Sequence, residues 1–407
     1  MTLALGLDLL LFVIGLPLQV AAAYLALATL LSGKLPESQP AALQRRFQFV
    51  VPAHNESAGI QATVESLLAV DYPRDLFEVV VVADNCQDDT ASKAQAAGAS
   101  VLVRNDTQNR GKGYALHHAF AATEATVDAV VVIDEDTLVS PNILRAFSWQ
   151  RERGAQAIQA DYAVRNPTAS WRTRLIAIAF GSFHIVRSRA RERLGLSCGL
   201  RGNGMCFSTA LLRQVPHQAF SVVEDVEYGL RLGEAGHRVY YADSAHVFGE
   251  MVSSAAASSS QRRRWEEGRK LLVRQHGLRL LKAGFTRRSG LLIDLALDLL
   301  VPPLSRIATG ALLGCLLALG LAMTSKNAGI ALGAYGFCVA SVVAYVLRGW
   351  MLSRTGLRGL LDLGLSPVYV VWKLSLRFRR PANASTDWVR TKREAPKAEA
   401  SSDPSQP

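Results

Sequence analysis

The ten residues Ala129–Leu138, AVVVIDEDTL, decide how the rest of the chain is read. Val130 to Ile133 have the length and β-branched composition of a buried strand. Three carboxylates, Asp134, Glu135 and Asp136, follow at once, where mutual repulsion should disfavour them. A polar strand end at the surface is one account. The other is that Asp134 and Asp136, spaced i and i+2, project to one side of an extended segment and hold a divalent cation. Glu135 then points the other way and keeps a local role. The second account needs support from elsewhere in the sequence.

Neighbouring segments repeat the pattern. FQFVVPAHNE reads as a strand running into a loop, and SAGIQATVESLLAV as a helix begun at Ser57. FEVVVVADNCQDDT is a second strand ending in acids, followed by an Ala-rich helix around 91–97. SVLVRN is a third strand, GKGYALHHAFAAT a helix, and DAVVVIDEDT the fourth strand. Strands alternating with helices predict a mostly parallel sheet of the nucleotide-binding, Rossmann-like kind. Ligands of such sheets sit outside the carboxyl ends of the strands. His54-Asn55-Glu56, Asp84-Asn85, Asp88-Asp89 and the Asp134–Asp136 triplet all fall there. Acids at three strand ends along one sheet edge read as a site.

The 407 residues carry a net charge of +11 and are 49% hydrophobic, which points to nucleic-acid binding or to a membrane protein. Hydropathy favours the membrane. Leu9–Leu31 holds no charged side chain and is long enough to cross about 30 Å of hydrocarbon. No basic residue precedes it, so it reads as a retained anchor and not a signal peptide. Ile307–Met323 and Ala328–Leu347, joined by TSKN, read as a transmembrane hairpin. Two further segments read as interfacial: GLLIDLALDLLVPP, with Asp294 and Asp298 at i and i+4, and GLLDLGLSPVYVVWKLSLRFRR, broken at Pro367. Lys and Arg concentrate in 44–288 and from Arg377 onward, which by the positive-inside rule places both in the cytoplasm. The basic residues lie beside apolar segments, where anionic lipid accounts for them and nucleic acid is not needed. Five cysteines, two of them in apolar segments, give no disulfide framework, in keeping with a reducing compartment. The sequons at Asn55, Asn105 and Asn383 then go unused. The tail beyond Arg393 is expected to be disordered. The expected organisation is an anchor at 1–33, an α/β domain at 45–289, interfacial helices and a hairpin at 290–380, and a polar tail at 381–407.

Seven motifs in order resemble the membrane-bound family-2 nucleotide-sugar glycosyltransferases, relatives of cellulose, chitin and hyaluronan synthases. They are VPAHNE, VVADNCQDDT, NRGKGYAL, VIDEDT, GNGMCFS, VEDVEYGLRL and QRRRW, and the resemblance covers about Phe47 to Gln275. It implies a GT-A-type α/β cytosolic domain beside about three transmembrane helices. It also implies a donor of the nucleoside-diphosphate-sugar class and a Mg²⁺ or Mn²⁺ ion. Asp136 matches the family's metal ligand, with Asp134 its companion near the ribose or metal. Asp84 matches the position that contacts the nucleobase and ribose, although a turn-capping role would also suit it. Lys112 resembles the lysine that approaches the nucleotide; GKG lacks the spacing of an ATPase phosphate loop, and a surface lysine is the plainer reading. Asp225, beside Glu224, matches the catalytic base, with Val223 in place of the usual Thr. A helix N-cap is its alternative role. Gln261, Arg264 and Trp265 match Gln-x-x-Arg-Trp, which implies Arg264 near the diphosphate and Trp265 under the acceptor sugar. A basic amphipathic helix would give the same pattern. Asn203, between Gly202 and Gly204, resembles the loop beneath the acceptor, and Glu56 stands with the substrate-binding set. His54 is read as a loop histidine making backbone hydrogen bonds.

The expected activity is inverting, metal-dependent sugar transfer to a lipid-linked or polysaccharide acceptor at the cytoplasmic face of the cell inner membrane, in exopolysaccharide or glycolipid assembly. Membrane lipids and polysaccharide-assembly proteins are the expected partners. A processive synthase that extrudes its product is the alternative. A non-catalytic subunit keeping the fold is the second; it predicts loss of Asp136, Asp225 or Trp265, and all three are present.

Overall fold

The structure, a computed structural model, describes residues 3–39, 41–251, 255–324 and 329–365, with the side chains of 255–264 outside the described set. The polar tail, Asn383, the TSKN turn beyond Thr324 and the break at Pro367 lie outside the described residues.

An eight-stranded sheet forms the centre of the α/β unit, in the order β3-β2-β1-β4-β7-β6-β8-β5. The strands are β1 Phe47–Ala53, β2 Phe77–Asp84, β3 Ser100–Arg104, β4 Ala129–Val132, β5 Thr137–Val139, β6 Ala157–Val164, β7 Met205–Ser208 and β8 Val239–Gly249. The first four are parallel, as their alternation with helices predicts, and β7 enters antiparallel between β4 and β6. Helices cover both faces, so the central strands are mostly apolar and show no regular alternation with polar residues. Phe49, Val51, Val79, Val81 and Val131 pack in one core, while Val50, Val82, Val130 and Val132 pack in the other. Parallel register brings Ala53 opposite Ala83 and Asp84 opposite Arg104. The strand ends therefore open at one edge.

Three expectations are corrected. The helix expected from Ser57 begins at Ile60, because 57–59 form a turn capped by Gly59. The acidic triplet is not extended: Glu135 and Asp136 form a turn between β4 and β5. The i, i+2 alternation therefore does not hold there, and Glu135 lines the same cavity as its neighbours. The single N-terminal anchor is instead two helices, Leu3–Ile14 and Leu16–Leu30, bent by 56° at Gly15 with Pro17 in the second helix's first turn. Proline fits a first turn, where its missing N–H costs nothing, so the break falls there.

Asp8, just ahead of the charge-free stretch Leu9–Leu31, is buried in the first of these helices. Its carboxylate accepts from the backbone N–H groups of Gly329, Ile330 and Ala331 at 3.2, 3.0 and 3.2 Å. A carboxylate at a helix N-terminus satisfies orphan donors and the helix dipole together. The helix so capped, Ile330–Leu352, and its partner Leu304–Thr324 are both long and apolar enough to cross a membrane. The bent pair would make a third crossing if it counts as one span.

The helix Gly290–Leu300 uses its aspartates differently from the interfacial reading. Its apolar residues Leu292, Leu295 and Leu299 pack in a buried cluster with Val223, Leu230 of Glu224–Glu234, and Leu272 and Leu280 of Ala255–Thr286. Asp294 accepts from Arg191 Nη2 at 2.5 Å and Nε at 3.1 Å, and Asp298 pairs with Arg191 at 3.0 Å and Arg187 at 3.3 Å. Arg269 closes the cluster, donating to the carbonyls of Asp298, Leu299 and Val301. The i, i+4 spacing serves buried arginines and not lipid headgroups.

Removing one partner of such a network leaves an uncompensated buried charge. Asp298→Ala should destabilise the detergent-solubilised chain by about 3–5 kcal/mol, read by denaturant unfolding. A loss under about 1 kcal/mol, the scale of an exposed pair, would show that the network does not lock the helix in place.

Candidate functional site

The open edge of the sheet borders a cavity of about 610 Å³. Asp84, Asp134, Glu135 and Asp136 line it from the strand ends, Lys112 from a helix start, and Glu224 and Asp225 from another. Seven residues from four separate segments thus meet in one place.

Lys112 opens the helix Lys112–Ala121. Its ammonium donates to Asp134 Oδ1 and to the Gly202 carbonyl at 2.6 Å, and lies 3.7 Å from Glu224 Oε1. Gly202 has φ +79°, a conformation side chains resist, and a Cβ there would lie 3.5 Å from Asp225 and 3.6 Å from Lys112. Burial works against the charge of Lys112, yet Asp134, Glu224 and Asp225 together hold its pKa above the ordinary range. It is not a surface lysine.

Glu224 and Asp225 begin the helix Glu224–Glu234, whose N-cap is Val223 with no side-chain cap bond. Asp225 is therefore not the cap. Burial pushes Glu224 up to about 8, against the pull of Lys112 and with Asp225 adding to the rise. Burial raises Asp225 as well, opposed by backbone hydrogen bonding and by Lys112 and Arg201.

Asp84 is buried at the end of β2. Its Oδ1 accepts from Arg104 Nη1 at 2.6 Å and Asn85 Nδ2 at 2.9 Å. Arg104 also binds Asp106 at 2.9 Å and the Asn109 carbonyl at 2.8 Å, tying the end of β3 to the following loop. His54 Nδ1 donates to the Asp84 carbonyl, 2.7 Å away, which is the backbone contact expected of it. Glu56 is buried at the cavity wall.

Asn203 is corrected: it is fully buried behind the acidic turn and does not line the cavity. Its Oδ1 accepts from the Asp134 N–H at 3.1 Å and its Nδ2 donates to Thr137 Oγ1 at 2.7 Å. Both amide groups are committed to holding the turn. Trp265 borders the cavity and is half-exposed, whereas the side chains of Gln261 and Arg264 lie outside the described residues. Tyr162, Phe180, Phe183, His184 and Arg201 line the cavity without having been singled out in the sequence. They come from no short motif, and only the apolar run ending at Phe183-His184 hints at them.

Among the described residues no group of three or more His, Cys, Asp or Glu side chains could hold a metal. Asp134 and Asp136 offer hard oxygen donors on one turn, and Mg²⁺ typically takes one or two carboxylates with substrate phosphates completing its shell. The donor set fits a divalent ion that arrives with a diphosphate.

The family model described as "Glycosyltransferase like family 2" matches residues 44–268. The chain belongs to that family. Curated relatives include the probable glycosyltransferase YdaM of Bacillus subtilis, 22% identical over 235 residues, covering 55% of each chain. The β-monoglucosyldiacylglycerol synthase of Synechocystis is 28% identical over 232 residues, 54% of this chain and 47% of that one. The poly-β-1,6-N-acetyl-D-glucosamine synthase of Staphylococcus aureus is 22% identical over 231 residues, 54% and 53% respectively. The chain spans about half the length of these relatives. Among solved structures, the mannosyltransferase PcManGT of Pyrobaculum calidifontis, in complex with GDP-Man and Mn²⁺, matches with a TM-score of 0.51 and 18% identity, over 84% of this chain and 98% of that one. That likeness supports the fold, which is GT-A-like with a mixed sheet.

The raised Glu224 gives a signed prediction. An acid that binds its proton more tightly when folded contributes stability at low pH, lost as pH rises from its unfolded value near 4.5 through about 8. Glu224→Gln mimics the protonated form. Its gain in thermal stability over the parent chain, without ligands, should grow between pH 5 and pH 9 (roughly the span of that titration). A gain independent of pH would show that Glu224 is ionised throughout.

Proposed function

We propose that the chain transfers a sugar from a nucleoside-diphosphate donor to a lipid-linked or glycan acceptor, with inversion, at the cytoplasmic face of a membrane. One observation carries this reading: the donor-side carboxylates Asp134 and Asp136 and the candidate base Asp225 face one cavity, with Lys112 between them. A divalent ion held by Asp136, with Asp134, would neutralise the donor diphosphate in binding and departure.

Lys112 sits where a diphosphate oxygen could replace Asp134 or Gly202 as its partner, placing a fixed cation on the leaving side. Asp84, with Oδ1 engaged by Arg104 and Asn85, keeps Oδ2 for an N–H or O–H of the nucleoside. Asp225 takes the proton of the acceptor hydroxyl, and direct attack by that hydroxyl inverts the anomeric carbon, as in single-displacement sugar chemistry. Arg264 is assigned to the diphosphate and Trp265 to the acceptor sugar, because an Arg fork suits phosphate and an aromatic face suits the C–H side of a pyranose. Two crossings, or three with the bent pair, leave little wall for a polymer channel among the described residues, which supports single transfer. The basic residues on either side of the apolar segments support the cytoplasmic orientation. The glycolipid and exopolysaccharide synthases among the relatives support the acceptor classes.

Membranes containing the chain, incubated with labelled nucleotide sugars and Mg²⁺ or Mn²⁺, should incorporate label into an organic-extractable product. Asp225→Asn should cut that transfer by roughly 10²–10⁴-fold, the usual worth of a general base, with nucleotide binding retained. Full transfer by that variant would remove Asp225 from the reaction. Chelation by EDTA should abolish turnover and added Mn²⁺ restore it; transfer unaffected by EDTA would refute the metal assignment.

A further inference from the structure

One wall of the cavity is contributed by a single helical run, Trp171–Arg193, interrupted by a π-helical turn at Gly181–Val186. Such turns are uncommon and gather at functional sites. On the cavity side, the run presents Phe180, Phe183 and His184, which meet Tyr162 of β6. The rings are contiguous. Phe180 and His184 lie 4.3 Å apart, Tyr162 and Phe180 5.2 Å apart, and Tyr162 stacks on His184 at 5.3 Å and 29°. The Arg201 guanidinium lies 4.3 Å over Phe183 and acts on both His184 and Asp225, so this shelf adjoins the candidate base.

The opposite face of the run is joined to a candidate membrane span. The Tyr345 hydroxyl donates to the Ser182 carbonyl at 2.7 Å. A Cβ on Gly181 would lie 2.3 Å from the Gly349 carbonyl oxygen, so the two backbones touch with no side chain between them. The shelf-bearing run is therefore packed directly against the C-terminal part of Ile330–Leu352.

His184 supplies the one polar feature of the shelf that remains to be used. Its Nδ1 lies 3.1 Å from the Tyr162 carbonyl, which only accepts, so Nδ1 carries the proton. Nε2 is then a lone-pair acceptor, and it has no hydrogen-bond partner among the described residues although the side chain is only 8% exposed. Burial, with Arg201 nearby, holds the imidazole down at about 3, so it stays neutral and is too weak a base to take the acceptor's proton.

We infer that Tyr162, Phe180, Phe183 and His184 form the acceptor shelf, on which the headgroup of an amphiphilic acceptor lies while one of its hydroxyls donates to His184 Nε2. This rests on the sugar-transfer reading above. Rings suit the C–H face of a sugar or polyol, one lone-pair acceptor suits one hydroxyl, and attachment to the span lets an acyl or polyprenyl chain stay in the bilayer. His184 positions the acceptor; Asp225 receives its proton.

The test is the ratio of transfer to donor hydrolysis, measured on the full chain in native membranes, which supply the acceptor, with a panel of labelled nucleotide sugars. His184→Phe keeps the ring and removes the lone pair. It should lower the ratio roughly tenfold, as expected when a buried hydroxyl loses its partner, with donor hydrolysis unchanged. His184→Gln, which still offers an acceptor oxygen, should recover most of the ratio. A thermal shift on adding nucleoside diphosphate reports that each variant is folded. If His184→Phe fails that check, Phe183→Leu carries the same ratio test. An unchanged ratio, an equal fall in hydrolysis and transfer, or label confined to water-soluble product would each overturn the shelf while leaving donor chemistry intact. No donor turnover by the parent chain would overturn the transferase reading itself, and the shelf with it.

Discussion

The ammonium of Lys112 is the contact on which the site depends. It joins the end of β4, through Asp134, to the Gly202 turn before β7 and to the first turn of the helix carrying Glu224 and Asp225. These segments come from three separate parts of the sequence, and each brings either negative charge or a carbonyl oxygen to the ammonium. Two unit charges about 4 Å apart interact by about 4 kcal/mol at the effective dielectric typical near a protein surface. Carboxylates this close therefore need a cation among them before the sheet edge can close. Asn203 supports the same arrangement from behind, since its amide fixes the Asp134 backbone and the Thr137 hydroxyl together. The turn's geometry is set before any ligand arrives.

A second fastening ties this unit to the apolar helices. The Arg187–Arg191–Asp294–Asp298 cluster pins one helix of the α/β unit to Gly290–Leu300, whose end leads through Pro302 and Pro303 into the hairpin. The Gly181–Gly349 approach pins the neighbouring stretch of the same run to the hairpin's second helix. Side chains between those backbones would let the two elements slide or tilt. Their absence, together with the Tyr345–Ser182 bond, makes the cavity wall and the span one packed body. A π-turn has the geometry for this double duty, because its wider turn shifts the side chains on one face without breaking the helix.

Much of this was legible in the sequence, for identifiable reasons. The parallel half of the sheet follows from mainly apolar runs in β1, β2 and β4, buried on both faces, separated by helix-length segments. The acids at the ends of β2 and β4 were visible as violations of that apolar pattern. The hairpin was visible from hydropathy alone. What was not visible depends on contacts between distant segments. The partners of Asp294 and Asp298 lie about a hundred residues away, so an i, i+4 acidic pair on an apolar helix was open to an interfacial reading. Asp8 drew no reading from the sequence, because its role, capping a helix that starts beyond residue 328, has no local signature. Asn203 carried the right motif, yet its amide was consumed by a turn whose shape the sequence did not disclose. Tyr162 and His184 are ordinary residues in ordinary runs until the π-turn brings them together.

The electrostatics of the cavity also bear on the charge balance of the proposed reaction. Lys112 does not fully offset its neighbours, since burial still pushes Glu224 up to about 8. At neutral pH the ligand-free site thus favours a proton on that carboxyl, next to the one assigned as base. A protonated neighbour lowers the repulsion on Asp225 and helps it stay ionised, which is the state a base requires. When a diphosphate draws the ammonium toward itself, Glu224 and Asp225 lose part of its stabilisation, and the pair holds its remaining proton more tightly. In the proposed reaction, the positive charge that a divalent ion would bring with the donor would restore the balance on the Asp134–Asp136 side, while Arg201 remains beside Asp225. The charge that sets Asp225 as a base would then come from the donor, the ion and Lys112 together.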